Sequence, residues 1–217
     1  CERRYTAWMN PFPLVPGHTV IATRKHVPQC WGGKSADLRA IVHDLLEMAS
    51  HLPGWIGFYN GEGAGASITG HLHYHFLPRP AGYGRMPLEL ALKSPDQDGL
   101  IEEHYPLTFG HWHGNVEQVQ EELGPWLDNW LATAGADTDA TANAIAIAEP
   151  DSDRLDCYFI PRHKARSRAE GLNGVVGGFE ALGEIVCATD EEKQLLDSGR
   201  INFDHIKKVL GQVSVAL

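Results

Sequence analysis

An α+β protein built from two related halves is what this chain predicts, on three observations. Short β-branched and aromatic runs alternate with two strongly amphipathic helical stretches. A Pro/Gly cluster (Pro78, Pro80, Gly82, Gly84, Pro87) interrupts the chain. The order of elements after that break loosely repeats the order before it, as strands and helices packed in layers require. The expected division is 1–87 and 88–217.

The first half reads strand, strand, helix, strand, strand. Arg4 to Asn10 is a strand, and Pro11, Pro13, Pro16 and Gly17 make a turn. His18 to Thr23 is β-branched and extended. Ser35 is placed to cap a helix over Ala36 to His51, whose Leu38, Ile41, Val42, Leu45, Leu46 and Met48 recur at helical spacing. Pro53-Gly54 ends it. Trp55 to Tyr59 and His71 to Leu77 are strands on either side of a Gly-rich loop from Asn60 to Gly65. In the second half, His104 to Trp112 reads as strand and Val116 to Thr133 as a helix with Val119, Leu123, Trp126, Leu127 and Trp130 inward. Its Trp face is core or dimer interface, so a homodimer is admitted. Gly135 to Ala142 reads as a polar loop. Asn143 to Ala148 and Leu155 to Ile160 form a hairpin, Val175 to Cys187 a strand, and Glu191 to Ser198 and Phe203 to Val213 two helices.

Bulk properties narrow the function. The 217 residues carry a net charge of -10, which argues against a nucleic-acid partner, since phosphate backbones need clustered Lys and Arg. No apolar run approaches the ~20 residues of a membrane span, and no secretory signal is visible. The four cysteines (Cys1, Cys30, Cys157, Cys187) form no Cys-x-x-Cys, which speaks for a reducing cytoplasm without a disulfide framework. Cys157 and Cys187 read as packing residues. The chain opens on Cys1 rather than Met, which leaves room for residues upstream.

The chemistry concentrates in His71-Leu72-His73-Tyr74-His75-Phe76-Leu77. In an extended strand the three imidazoles share one face, about 6.6 Å apart, and Leu72, Tyr74 and Phe76 share the other. A neutral imidazole can attack phosphorus, or such a row can ligate a metal.

This string, His-φ-His-φ-His-φ-φ with φ apolar, resembles the signature of the histidine triad superfamily of nucleotide hydrolases and nucleotidyltransferases. Asn10 to His18, with Pro16-Gly17-His18, looks like its ribose-binding segment, and Asn60, the Gly-rich loop and Ser67 look like its phosphate-binding stretch. Leu77-Pro78-Arg79 also recurs, and the likeness covers roughly residues 4 to 80. Ser67 stands four positions before His71, a spacing similar to the galactose-1-phosphate uridylyltransferase and GDP-hexose phosphorylase branch. Arg154 to Glu184 resembles that branch's second half more weakly. The branch usually has Gln at the third triad position, whereas this chain has His75, as hydrolases do; the acceptor (water, phosphate or sugar phosphate) stays open.

The resemblance implies a histidine-triad-like fold with an antiparallel sheet and helices, the triad lying in the first half only. It implies nucleotidyl transfer or phosphorolysis on a nucleoside diphosphate sugar or dinucleoside polyphosphate. His73 would be the nucleophile, held in one tautomer by a backbone carbonyl. His75 and His18 would contact phosphate oxygens or move a proton, His71 would support, Asn10 would bind ribose, and Asn60 and Ser67 the phosphate. Arg79 is placed for a structural or phosphate role. Arg162, His163, Lys164, Arg166 and Arg168 are the one dense basic run, either a solvated loop or a phosphate site using Arg162 and Lys164. No metal is required, and a divalent ion is compatible. The alternatives are a nucleotide hydrolase, a nucleotide-binding protein without turnover, and a metal-binding cupin-like protein. His104, His111 and His113 form a second cluster, read as solvated or capping histidines near a strand end, or as a structural metal site or a substrate contact from the second half.

Overall fold

A computed structural model of the chain describes residues 4–32, 34–79, 84–91, 99–100, 105–134, 139–169, 174–187 and 189–215. Eight strands form one antiparallel sheet: β1 (Tyr5–Met9), β2 (Thr19–Thr23), β3 (Trp55–Asn60), β4 (His73–Pro78), β5 (Gly99–Leu100), β6 (Gly110–Gly114), β7 (Ala140–Ala148) and β8 (Leu155–His163). Their order is β1-β2-β4-β3-β7-β8-β6-β5. Counted inward from either edge, the strands run first, second, fourth, third. The centre is the β3–β7 ladder, from Ile56 opposite Ile147 to Asn60 opposite Asn143.

Alternation along these strands divides the interior into two layers. Tyr59, Tyr74, Phe76, Cys157, Phe159 and the alanines 142, 144, 146 and 148 face two long helices, α1 (Ser35–Ser50) and, after a short helix α2 (Pro87–Leu90), α3 (Val116–Ala134). Four alanines in a row on β7 leave room for helices to lie close to the sheet. Trp130 packs edge-on against Trp31 and Phe159, and Trp126 against Trp112, so the Trp face of α3 is core. Ile56, Phe58, Leu77, Ile145, Ile147, Tyr158 and Ile160 face the other layer, closed by α2, α4 (Gly178–Ala181) and α6 (Phe203–Val213), with α5 (Asp190–Asp197) between the last two in the chain. Among the described residues no helix is long and apolar enough to cross a membrane.

Several expected elements change. Lys34, not Ser35, is the N-cap of α1, and it makes no side-chain cap hydrogen bond. Strand β4 begins at His73, because Leu72 N–H turns aside to Val27 O (2.6 Å). Strand β6 covers Gly110–Gly114 only, and His104 lies outside the described residues. Strand β7 begins at Ala140, inside the expected loop. Val175 makes a single bridge to Arg168, and the expected strand beyond it is the short helix α4. Its Gly177-Gly178 pair fits where a side chain would not: a Cβ on Gly178 would stand 2.9 Å from both Asn60 Oδ1 and Phe58. A sheet with long helices on one face is also not the double-sheet jelly roll of a cupin.

Candidate active site

β2, β4 and the ends of β3 and β7 bring the candidate groups together. His73 and His75 alternate with Tyr74 and Phe76, so core burial of the aromatics turns both imidazoles to the opposite face, 5.1 Å apart. His73 Nδ1 lies 2.8 Å from His71 O. A carbonyl can only accept, so Nδ1 carries the proton and Nε2 carries the lone pair. Nε2 has no partner among the described residues. Burial lowers the His73 pKa, the bond to His71 O opposes this, and the His71 ring lowers it further.

His75 has the complementary polarity. Leu14 N–H donates to His18 Nδ1 (3.1 Å), so His18 Nε2 carries its proton and donates to His75 Nδ1 (2.9 Å). His75 must then hold its own proton on Nε2. One imidazole of the strand presents a lone pair and its neighbour an N–H. Stacking on Phe58, with ring centroids 5.0 Å apart and 17° between planes, holds the His75 ring flat. Burial, then His73, then His18 lower the His75 pKa to about 3, and burial lowers that of His18 to about 4.

These depressions set a pH dependence. Both rings are neutral in the folded protein and take up protons near pH 6.5 when unfolded. Their contribution to stability is therefore fully present above pH 6.5 and is lost as pH falls toward the folded values. With nearly two protons taken up on unfolding near pH 5, stability should fall by about 2.5 kcal/mol per pH unit there. Urea midpoints from pH 4.5 to 7 measure the slope, and His75→Gln should remove roughly half of it; an unchanged slope in that variant would refute the assignment.

The other expected site residues divide. His71 precedes β4, and its ring does not join the row: Nε2 bonds Thr23 O and the ring leans on His26, 4.6 Å between centroids. Its carbonyl, not its imidazole, serves His73. Both ring nitrogens of His18 are engaged, so it positions His75. Asn10 Oδ1 accepts Phe12 N–H (2.9 Å) and its Nδ2 lies 3.3 Å from the His18 ring nitrogens. Ser67 is exposed beyond the Gly-rich loop, and its hydroxyl makes no hydrogen bond among the described residues. Asn60 is buried at the end of β3, its Oδ1 accepting from Asn143 Nδ2 (2.9 Å) and Gly178 N–H (2.8 Å).

The three basic candidates do not line an open phosphate site. Arg79 makes a two-pronged pair with Glu89 (2.8 and 2.9 Å) and donates to Gly84 O (2.7 Å), at the far end of β4 from His73. Arg162 is 1% exposed and donates to Asn143 Oδ1 (2.7 Å). Lys164 pairs with Glu62 (2.7 Å) while its stem covers Gly63. The Gly-rich loop of the first half is thus clamped by the second: Thr141 and Ala142 under Gly61, Lys164 over Gly63, Gly177 against Gly65. Gly63 and Gly65 have φ of +73° and +104°, where a side chain would be strained.

Nothing in the sequence singles out Gln29. It is fully buried, accepts His73 N–H on Oε1 (2.8 Å), and donates from Nε2 to the carbonyls of His73 (3.0 Å) and Asn60 (2.8 Å). One amide ties the strand of the histidines to the strand of Asn60. A Gln in a loop between Pro28 and Cys30 carries no periodicity or motif that could announce this.

Among the described residues one group could hold a metal ion: ligand atoms of His113, Glu149 and Asp156 lie within 4.8 Å of one another. Arg154 Nε donates to His113 Nε2 (2.9 Å), and Asp156 faces both His111 (2.7 Å) and His113 (3.1 Å). This cluster belongs to β6, β8 and the turn that joins β7 to β8, apart from the triad.

A family model described as "Domain of unknown function (DUF4922)" matches residues 1–78. No curated protein matches the chain. Among solved structures, yeast Ap4A phosphorylase Apa2 in complex with AMP is similar over 97% of this chain and 73% of that one, at 19% identity and a TM-score of 0.67. The same enzyme in complex with Ap4A gives 97% and 73%, 18% identity and a TM-score of 0.62. The chain therefore has the α+β histidine-triad-like fold.

Proposed function

We propose that this protein cleaves a nucleoside diphosphate sugar or dinucleoside polyphosphate by transferring a nucleoside monophosphate through His73. The observation that carries the reading is the tautomer of that ring: Nδ1–H donated to His71 O leaves Nε2 as a neutral nucleophile. In the first step the Nε2 lone pair forms an N–P bond to the α-phosphorus as the bond from phosphorus to the leaving oxygen breaks. In the second an acceptor oxygen attacks the same phosphorus and the N–P bond breaks. His75 Nε2–H, 5.1 Å away between ring centroids, donates to a phosphoryl oxygen where charge builds. Asn60, the Gly-rich loop and the Ser67 hydroxyl supply further donors, and Asn10 holds the ribose. Such a transfer depends on positioning and on charge stabilisation; a divalent ion on the substrate phosphates is compatible with it.

In this reading residues 1–87 supply the reacting imidazoles and residues 88–217 hold the phosphate loop. The fold neighbour solved with AMP and with Ap4A makes these nucleotides the first probes. A simple hydrolase is the second reading, favoured by an imidazole at the third triad position. Incubation with Ap4A and with GDP-sugars, with and without inorganic phosphate, separates the two by mass spectrometry. A nucleoside diphosphate formed only with phosphate shows phosphorolysis, and a monophosphate formed in water shows hydrolysis. No product from any of these substrates would overturn both.

A further inference from the structure

We propose that buried Arg162 and Asn143 are positioning residues that set the polarity of Asn60, so that it presents N–H groups and selects an anionic phosphoryl group. The inference rests on the reading of the Gly-rich loop as the phosphate site. Its basis is a chain of hydrogen bonds whose direction is forced. A guanidinium has only donors. Arg162 Nη1 donates to Asn143 Oδ1 (2.7 Å), which turns Asn143 Nδ2 toward Asn60 Oδ1 (2.9 Å) and Ala64 O (2.6 Å). Gly178 N–H, also only a donor, meets the same Asn60 oxygen (2.8 Å).

Asn60 Nδ2 is therefore directed the other way. It lies against two glycines: a Cβ on Gly65 would stand 3.1 Å from it, and one on Gly177 3.2 Å. Among the described residues Nδ2 has no acceptor. Polarisation along such a chain strengthens its last donor.

Arg162 is an expensive way to hold a loop. Its Nε and Nη2 are buried without a partner among the described residues. Glu180 acts on it through space and uses its Oε2 to accept Gly177 N–H (2.9 Å). A neutral Gln could reach Asn143 in either sense; only a group without acceptors fixes one.

The test uses Asn143→Asp and Arg162→Met in the full chain. A carboxylate at 143 keeps Arg162 but cannot donate, so its oxygen faces Asn60 Oδ1 and draws the Asn60 NH2 inward in competition with Gly178 N–H. In the ligand-free protein, the Asn60 side-chain amide protons should exchange slowly in Asn143→Asp and rapidly in wild type, by 15N NMR. AMP affinity, measured by calorimetry, should fall roughly 10- to 100-fold, the worth of one hydrogen bond to a charged group. Arg162→Met should lose about tenfold in AMP affinity while its melting temperature holds or rises, because two unpartnered guanidinium nitrogens disappear. Should Asn143→Asp fail to fold, the Arg162→Met pair of measurements decides. Unchanged Asn60 exchange, or AMP affinity within twofold of wild type in both folded variants, overturns the relay. If wild type neither binds AMP nor turns over, the phosphate reading fails instead, and the ligand-free exchange rates still report on the relay.

Discussion

His73→Asn should abolish turnover, by about a thousandfold or more, while AMP binds within about threefold of wild type. Asn keeps a donor near the place of Nδ1, so the bond to His71 O and the entry into β4 survive. It has no lone pair at the position of Nε2, so no N–P bond forms. The loss should appear in kcat and leave KM nearly unchanged, since the missing interaction exists only during the reaction. Single-turnover assays followed by mass spectrometry should detect nucleotidylated wild type and none in the variant. Near-wild-type turnover would remove His73 from the chemistry and the covalent route with it.

Gln29→Met should lower stability by about 3 kcal/mol and reduce kcat together. Met matches Gln in length and fills the same volume, so packing is kept. What disappears is the bond to His73 N–H, together with the two Nε2 contacts to the carbonyls of His73 and Asn60. A buried donor left without a partner costs about 1–3 kcal/mol, and carbonyls with a second neighbour cost less. The kinetic effect follows from geometry: the proposed nucleophile and the candidate phosphate-binding Asn60 hang from one amide. Gln29→Glu separates the two functions, because an ionised carboxylate there still accepts from His73 N–H but cannot donate to either carbonyl. A urea midpoint unchanged in Gln29→Met would show that the clamp carries no stability.

Burial reshaped the candidate list in one consistent way. Arg79, Arg162 and Lys164 are basic residues near the ends of strands that leave the site region, and charge alone recommends them for phosphate. The fold gives each an inward or lateral partner: Glu89, Asn143 and Glu62. His18 and His71 likewise act through His75 and His73. Among the described residues, the polar atoms around this strand left without a hydrogen-bond partner are the Nε2 atoms of His73 and His75, Asn60 Nδ2 and the Ser67 hydroxyl.

Local pattern alone determined a good deal. Alternation of His with Tyr and Phe turns His73 and His75 to one face, because side chains on a strand have a period of two. Helical spacing of apolar residues placed α1 and α3, and α6 runs from Phe203 to Val213 as read. Pro and Gly marked the turns. What only the tertiary structure decided is every property that depends on contact between residues distant in sequence. The tautomer of His75 depends on His18, 57 positions away. The clamp by Gln29 spans 44 positions, and the orientation of Asn60 depends on Asn143, 83 positions on. Short sequence windows carry periodicity and turn chemistry. They do not carry which donor finally meets which acceptor, because that is settled by strand order and by the burial that forces each polar group to find a partner.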